Sequence, residues 1–347
     1  MTRPLIFRGQ KVEDARDAYL VTQALIGTTD RPQTKDKGCV SVECMQRWFV
    51  HLIETNALPA NERILIGDIL ATLGDTRFDP TTYYLPKDKT WGFVEIPAGK
   101  FIMGTRQEDI PALMKKFGGD VNLYESETPQ HLVDLPRYFI ARYLVTGAQF
   151  KHFVKVSHYK PDDKDSLREP DNCPACYVTW RDAIAYCDWL TKTLKKEQKT
   201  PEPLASLLRK EQWRITLPNE PQWEKAARTT DGRLFAWGDE FDSDKANIDS
   251  NINTTSAVGC FPKGTNHYGL QDMTGNVWEW TRSVYANYPY NLKDKKREDL
   301  KAKNVARVLR GGAFGNNKRY ARCAYRLRLS PDGRSKYYGF RVAASPF

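Results

Sequence analysis

No apolar run in this 347-residue sequence approaches the roughly 18 residues that cross a bilayer. The first residues, Met1 to Arg8, hold no sustained apolar stretch, so no signal peptide is expected and cytoplasmic residence is the default. Cysteines number seven, an odd count with no repeated spacing. The one Cys-x-x-Cys, Cys173-Pro-Ala-Cys176, lacks a second ligand pair at the spacing of a zinc site. It also sits in a loop before Val178-Thr179-Trp180, where a redox pair would want a strand before it and a helix capturing the first thiol. Its thiols are expected to be reduced and structurally incidental. Acids are outnumbered, 43 against 53 Lys and Arg, for a net charge of +10 that permits weak attraction to acidic surfaces. Much of the excess lies in polar runs such as Lys293 to Arg297, and no nucleic-acid module is recognisable, so nucleic acid is not an expected partner.

What is present is enough chain for one large or two modest domains with ample core. Residues 1–85 read as a helical N-terminal region. Val12 to Leu25 and Met45 to Glu54 carry helical periodicity, and Asn61 can cap a third helix that Gly74 would end. Asp79 to Asp88 is turn-rich and reads as a linker. From Trp91 the texture changes to short strands. Phe93 to Gly104 gives two of them around a Pro-Ala-Gly turn, a hairpin signal, and His131 to Leu135 and Tyr138 to Ala141 give two more. Thr146 and Thr179 can cap helices, and another follows Asn219. The remainder is long and irregular, which is costly unless buried Trp and Arg side chains or bound ions pin it.

The C-terminal forty residues stand out. Between Arg307-Val-Leu-Arg-Gly-Gly312 and Gly339-Phe-Arg341, residues 314–338 hold five aromatics and seven Lys or Arg against one acid, Asp332. Apolar flanks bracket a loop-rich, aromatic and cationic middle, a composition suited to gripping a ligand or, more plainly, to a solvated basic loop.

Several motifs occur in order: Ile96-Pro-Ala-Gly-x-Phe-x-Met-Gly104, Glu127-x-Pro-x-His131, Arg214-Ile-x-Leu-Pro-x-Glu220-x-x-Trp-Glu224, Tyr268-Gly-Leu-x-Asp-Met-x-Gly-Asn-Val-Trp-Glu-Trp280, and the C-terminal pair above. Together they resemble the formylglycine-generating enzyme (sulfatase-modifying factor) superfamily over residues 91–347. The resemblance implies an α+β, C-type-lectin-like fold with much irregular structure. Catalysis in those enzymes needs two cysteines that bind copper, but here the position matching the first is Asn316 and the second falls near Ala321, in a shortened region; Cys323 matches a cysteine outside the pair. The iron-dependent sulfoxide synthases carry a His-x-x-x-His-x-Glu helix, and none of the five histidines here has that spacing. Neither copper nor iron is therefore expected.

The chain is more similar to variable proteins of diversity-generating retroelements, bacterial or phage proteins that display a changeable C-terminal surface. Arg322-Cys-Ala-Tyr-Arg326 and Pro331-Asp-Gly-Arg334 match their pattern. This implies a ligand surface of Phe314, Asn316, Asn317, Arg319, Tyr320, Leu327, Leu329, Ser335, Tyr337 and Tyr338, facing a protein or other macromolecule. The family also implies structural Ca²⁺ on Asp272, Gly275, Val277 and Glu279, two carboxylates and two carbonyls, an oxygen set for a hard cation. Alternatively Asp272 caps a turn and Glu279 pairs with an arginine. Pro59 to Arg77 resembles a short module found beside NTPase or caspase-like domains, which implies an effector NTPase or protease as a possible partner.

Overall fold

The structure, a computed structural model, describes residues 42–346; the helix expected over Val12 to Leu25 lies outside the described residues. Two helices come first, Val42–Glu54 and Ala60–Leu73. Asn61 is not the cap of the second. Pro59 holds that position without a side-chain bond, and Gly74 ends the helix at φ +96°. These helices do not stand apart from the later chain, because Phe49, Ile53, Ile64 and Leu70 share one cluster with Ala257, Cys260 and Phe261. Arg63, fully buried, donates to the carbonyls of Cys260 at 2.8 Å and Asp244 at 3.0 Å. Gly67 lets the helix approach: a Cβ there would stand 2.8 Å from Ala257 Cβ and 3.0 Å from Cys260 Sγ.

Beyond the helices come twelve short strands. They are β1 (Phe78–Asp79), β2 (Leu85–Pro86), β3 (Phe93–Ile96), β4 (Gly99–Met103), β5 (His131–Leu135), β6 (Tyr138–Ala141), β7 (Arg214–Thr216), β8 (Trp278–Val284), β9 (Arg307–Arg310), β10 (Leu327–Leu329), β11 (Tyr338–Gly339) and β12 (Ala343–Ser345). The expected linker near residues 79–88 contains the β1–β2 ribbon. The expected β3–β4 hairpin does not form. Instead β3 pairs with β6 and β4 with β5 in one continuous register, from Phe93 opposite Ala141 to Met103 opposite His131. Pro97 and Pro136 both fall in the gap between the two ladders. Neither has an N–H to give, so the long bent pair splits into two sheets there.

One four-stranded sheet has the order β3-β6-β12-β7 and the other β10-β9-β8-β11, with β11 parallel to β8. The C-terminal segment thus supplies β9, β10 and β11 to one sheet and β12 to the other. Helices Gly147–Ser157, Trp180–Lys196 and Glu220–Arg228 each open on a capping box, from Thr146 with Gln149, Thr179 with Asp182, and Asn219 with Gln222. The last of these helices is buried along its length and lies against the inner face of the C-terminal segment.

Gly67→Leu would drive a side chain into Ala257 and Cys260, and overpacking of this kind costs about 1–3 kcal/mol. The urea midpoint should fall, and hydrogen exchange should quicken first over Ala60–Leu73.

Candidate functional site

The C-terminal segment is held from beneath by arginines. Arg310 pairs with Glu224, whose other oxygen accepts from Arg228 at 2.8 Å and from the Gly104 amide at 2.7 Å. Arg322 grips Glu127 with two bonds, 2.8 and 2.5 Å, and Arg326 grips Glu220 at 2.5 and 3.0 Å. Arg341 holds Glu279 at 2.6 and 2.7 Å. All eight side chains are buried. Burial alone would raise the Glu220 carboxyl, but Arg326 and Arg310 beside it outweigh that and hold it below its ordinary range.

Above these anchors runs a ladder of rings. Phe314 packs on Tyr337 with centroids 4.9 Å apart, Trp278 lies 5.7 Å from Tyr325, and Tyr325 meets Tyr320 edge-on at 5.1 Å. Asn316 joins the two halves, since its Oδ1 accepts from Trp278 Nε1 at 2.8 Å and from the Ala313 amide at 3.1 Å. Phe314 and Asn316 were expected to face a ligand. Phe314 is instead buried and the Asn316 side chain is committed to the scaffold. Leu327 and Leu329 are half-buried, as Tyr320, Tyr337 and Tyr338 are, and all five pack against the main core. Along β10 burial alternates, so the two leucines pack against the main core while Arg328 between them is exposed.

Asn317 is exposed and its Oδ1 caps the turn at Lys318–Ala321 by accepting from the Arg319 amide. Arg319, Tyr320, Ser335, Tyr337 and Tyr338 are half-buried, and Gly315, Ser330, Asp332, Arg334 and Lys336 are exposed. Arg328, Lys318 and Lys336 were missed as surface candidates. The period-two reading of Leu327-Arg-Leu329 could have found Arg328; the lysines carried no such signal.

A model of the sulfatase-modifying factor enzyme 1-like domain matches residues 82–346. The chain belongs to this family. It is 26% identical over 322 residues to the inactive C-alpha-formylglycine-generating enzyme 2 of Bos taurus, covering 75% of this chain and 90% of that one. It is 26% identical over 326 residues to the formylglycine-generating enzyme of Thermomonospora curvata, covering 75% and 96%. Serine/threonine-protein kinase pkn1 of Chlamydia caviae is 29% identical over 272 residues, 72% of this chain but 37% of the kinase. Among solved structures, PvdO from Pseudomonas aeruginosa superposes with a TM-score of 0.55 at 25% identity over 73% of this chain and 94% of that one. Treponema denticola variable protein 1 does so with a TM-score of 0.53 at 22% identity over 73% and 95%, a likeness of fold alone. The fold is therefore the α+β, C-type-lectin-like fold of the formylglycine-generating enzymes, in a family that includes a relative named as inactive.

Cys173, Cys176, Cys187, Cys260 and Cys323 are all buried, and burial pushes the Cys260 and Cys323 thiols up to about 12. Cys173 and Cys176 occupy the loop ahead of the Trp180–Lys196 helix, where the Cys173 carbonyl accepts from Gly147.

At the family's calcium position, Asp272 sits at φ +56° and accepts from the Gly259 amide at 2.8 Å. Gly275, at φ +84°, has no room for a side chain, since a Cβ would lie 2.4 Å from the Asn247 carbonyl oxygen. Glu279 is shared between Arg341 and the Trp223 indole N–H. Arg77 likewise pairs with Asp75, so Asp272 is a buried acid with no salt bridge of its own among the described residues. Burial pushes its carboxyl up to about 6, against the Gly259 bond and the Arg341 charge, and Glu279 nearby adds to the rise. A leftover buried negative charge is what a hard cation would neutralise, and Asp272 carries one, whereas both Glu279 oxygens already accept from Arg341.

An acid whose folded-state value lies above the unfolded 3.8 favours folding at low pH and loses that contribution as pH rises through about 6. Asparagine tolerates the left-handed backbone and cannot ionise. In chelator, Asp272→Asn should therefore gain stability over the parent between pH 4 and 7, by about 3 kcal/mol at most. Equal pH profiles for the two proteins would refute the charge assignment.

Proposed function

We propose that this chain is a non-catalytic ligand-binding protein that presents residues 314–338 to a protein or other macromolecular ligand, and that it is the diversified product of a diversity-generating retroelement. The observation that carries this reading is a division within one segment. Arg310, Arg322, Arg326 and Arg341 are buried and paired, whereas Gly315, Asn317, Arg328, Ser330, Asp332, Arg334 and Lys336 among them are exposed. A segment anchored by fixed pairs can change its outward side chains without losing its path. Half-buried Tyr320, Tyr337 and Tyr338 add rigid aromatic area at low entropic cost. The oxidase alternative is disfavoured because Asn316 stands where the first copper-binding cysteine would be, the second position falls near Ala321 with no cysteine matching it, and Cys323 is a buried neutral thiol.

One observation favours a second reading, a fixed-specificity sensor working beside an NTPase or protease effector: a domain like this one occupies about a third of the Chlamydia kinase named above. The gene's DNA separates the two. A nearby near-copy of the segment that differs only where adenines stand supports diversification, and its absence leaves the sensor. Stoichiometric copper or iron with oxygen consumption on a thiol substrate would overturn both. Calcium in this reading is structural, tying down the loop from Gly269 to Trp280 through Asp272, Gly275, Val277 and Glu279. Chelator should lower the melting temperature of the parent and leave Asp272→Asn unmoved.

The division also predicts an asymmetry in stability. Arg326→Met takes from buried Glu220 its two-bond partner, leaving Arg310 at 4.0 Å, and should cost about 3 kcal/mol. Arg328→Ser and Lys336→Ser, exposed and without salt bridges, should each fall within about 0.5 kcal/mol of the parent by chemical denaturation. Comparable losses from both kinds of variant would show the outward positions to be core.

A further inference from the structure

We infer that the C-terminal surface takes an acidic, carboxylate-rich segment of a partner protein; this rests on the reading of residues 314–338 as the binding surface. Of the seven basic residues in the segment, Arg322 and Arg326 are consumed by buried glutamates and Arg334 pairs with Asp163 at 3.3 Å. The other four rest on aromatic rings. Lys318 lies 4.9 Å from the Phe241 centroid, Arg319 5.2 Å from Tyr320, Arg328 5.4 Å from Tyr285, and Lys336 5.1 and 5.7 Å from Tyr337 and Phe314. None of these four takes part in a salt bridge among the described residues. A ring face attracts a cation but leaves its charge in place. Of the acids nearby, Asp332 pairs with Arg181, while Asp249 accepts from the Lys318 amide at 2.9 Å without a salt bridge among the described residues.

Four cations of one segment, each against an aromatic ring and none in a salt bridge among the described residues, call for an anionic partner, and the geometry narrows its class. A single-stranded nucleic acid binds by stacking bases on open ring faces. Here Tyr320, Tyr285, Tyr337 and Phe314 each already carry a cation at one face, and Phe314, itself buried, packs on Tyr337 as well. A membrane surface would want exposed apolar side chains to insert. The exposed large hydrophobics of the described residues are Val42, Val121, Leu132, Val156 and Leu292, all outside this segment. Aspartate and glutamate side chains need only the cations, and the two arginines can each take a carboxylate with two bonds.

The test uses the full chain and a fluorescein-labelled oligoglutamate peptide, read by anisotropy. The face variant carries Lys318→Gln, Arg319→Gln, Arg328→Gln and Lys336→Gln. The control variant carries Lys293→Gln, Lys295→Gln, Lys296→Gln and Lys303→Gln, exposed positions that remove the same charge elsewhere. Affinity should fall about tenfold or more in the face variant, the sum of four exposed ion pairs, and far less in the control. Equal loss in both variants, no binding by the parent, or tighter binding of oligothymidine or phosphatidylserine vesicles through the same four residues overturns the inference. Melting temperatures keep the two levels apart. A face variant that melts with the parent while the parent ignores oligoglutamate refutes the acidic partner alone, and one that unfolds refutes the surface reading beneath it.

Discussion

Four guanidinium–carboxylate pairs, shut away from water, determine where the C-terminal half of this protein runs. Each links residues far apart in the chain: Arg310 to Glu224, Arg322 to Glu127, Arg326 to Glu220 and Arg341 to Glu279. Desolvating such charges costs several kcal/mol per ion, and the cost is offset only where geometry is bidentate and the remaining hydrogens find acceptors. An alternative path for the segment would strand a buried glutamate. The pairs therefore act less as a net source of stability than as a penalty on every other arrangement. Glu220 and Glu224 lie one turn apart on a single buried helix, so one rigid element receives two of the four.

The same arginines explain how so irregular a backbone can be buried at all. A loop inside a protein must find partners for its carbonyls, and here guanidinium N–H groups stand in for a strand ladder. Arg310 donates to the Ala324 and Tyr325 carbonyls, Arg326 to Ser126 and Ala286, and Arg341 to Ala141 and Gln271. Arg307 does this without a carboxylate. It donates to the Arg282 and Asp299 carbonyls and lies 4.0 Å over the Trp180 ring. Burial draws its guanidinium down to about 10.

Much of this frame was legible from local chemistry. The three capping boxes could be read from Thr146, Thr179 and Asn219, because a cap and its N3 partner are neighbours in sequence. The ordered motifs announced the fold for a related reason: their Arg, Glu and Trp residues are those whose burial only one arrangement can satisfy. The failures were non-local. Pro-Ala-Gly after β3 is sound turn chemistry, yet β3 pairs with β6 and β4 with β5, and the ladder breaks where two prolines 39 residues apart both fall in the gap. Asn61 had the right side chain for a cap, but the helix starts two residues earlier than that cap implies, at Ala60 after Pro59, and Arg63 in its first turn reaches the distant Cys260 carbonyl.

The binding surface was harder to read because residue type does not reveal which way a side chain points in a loop. Asn316 and Asn317 are adjacent and chemically identical. One takes the Trp278 indole N–H and belongs to the scaffold, while the other caps a turn at the surface. The seven basic residues divide in the same way. Arg322 and Arg326 became anchors because Glu127 and Glu220, nearly two hundred and about one hundred residues earlier, meet them. Arg328, two positions further on, found a ring and not an acid. What separates an anchor from a contact residue here is whether a carboxylate arrives from elsewhere in the chain, and that is a property of the fold.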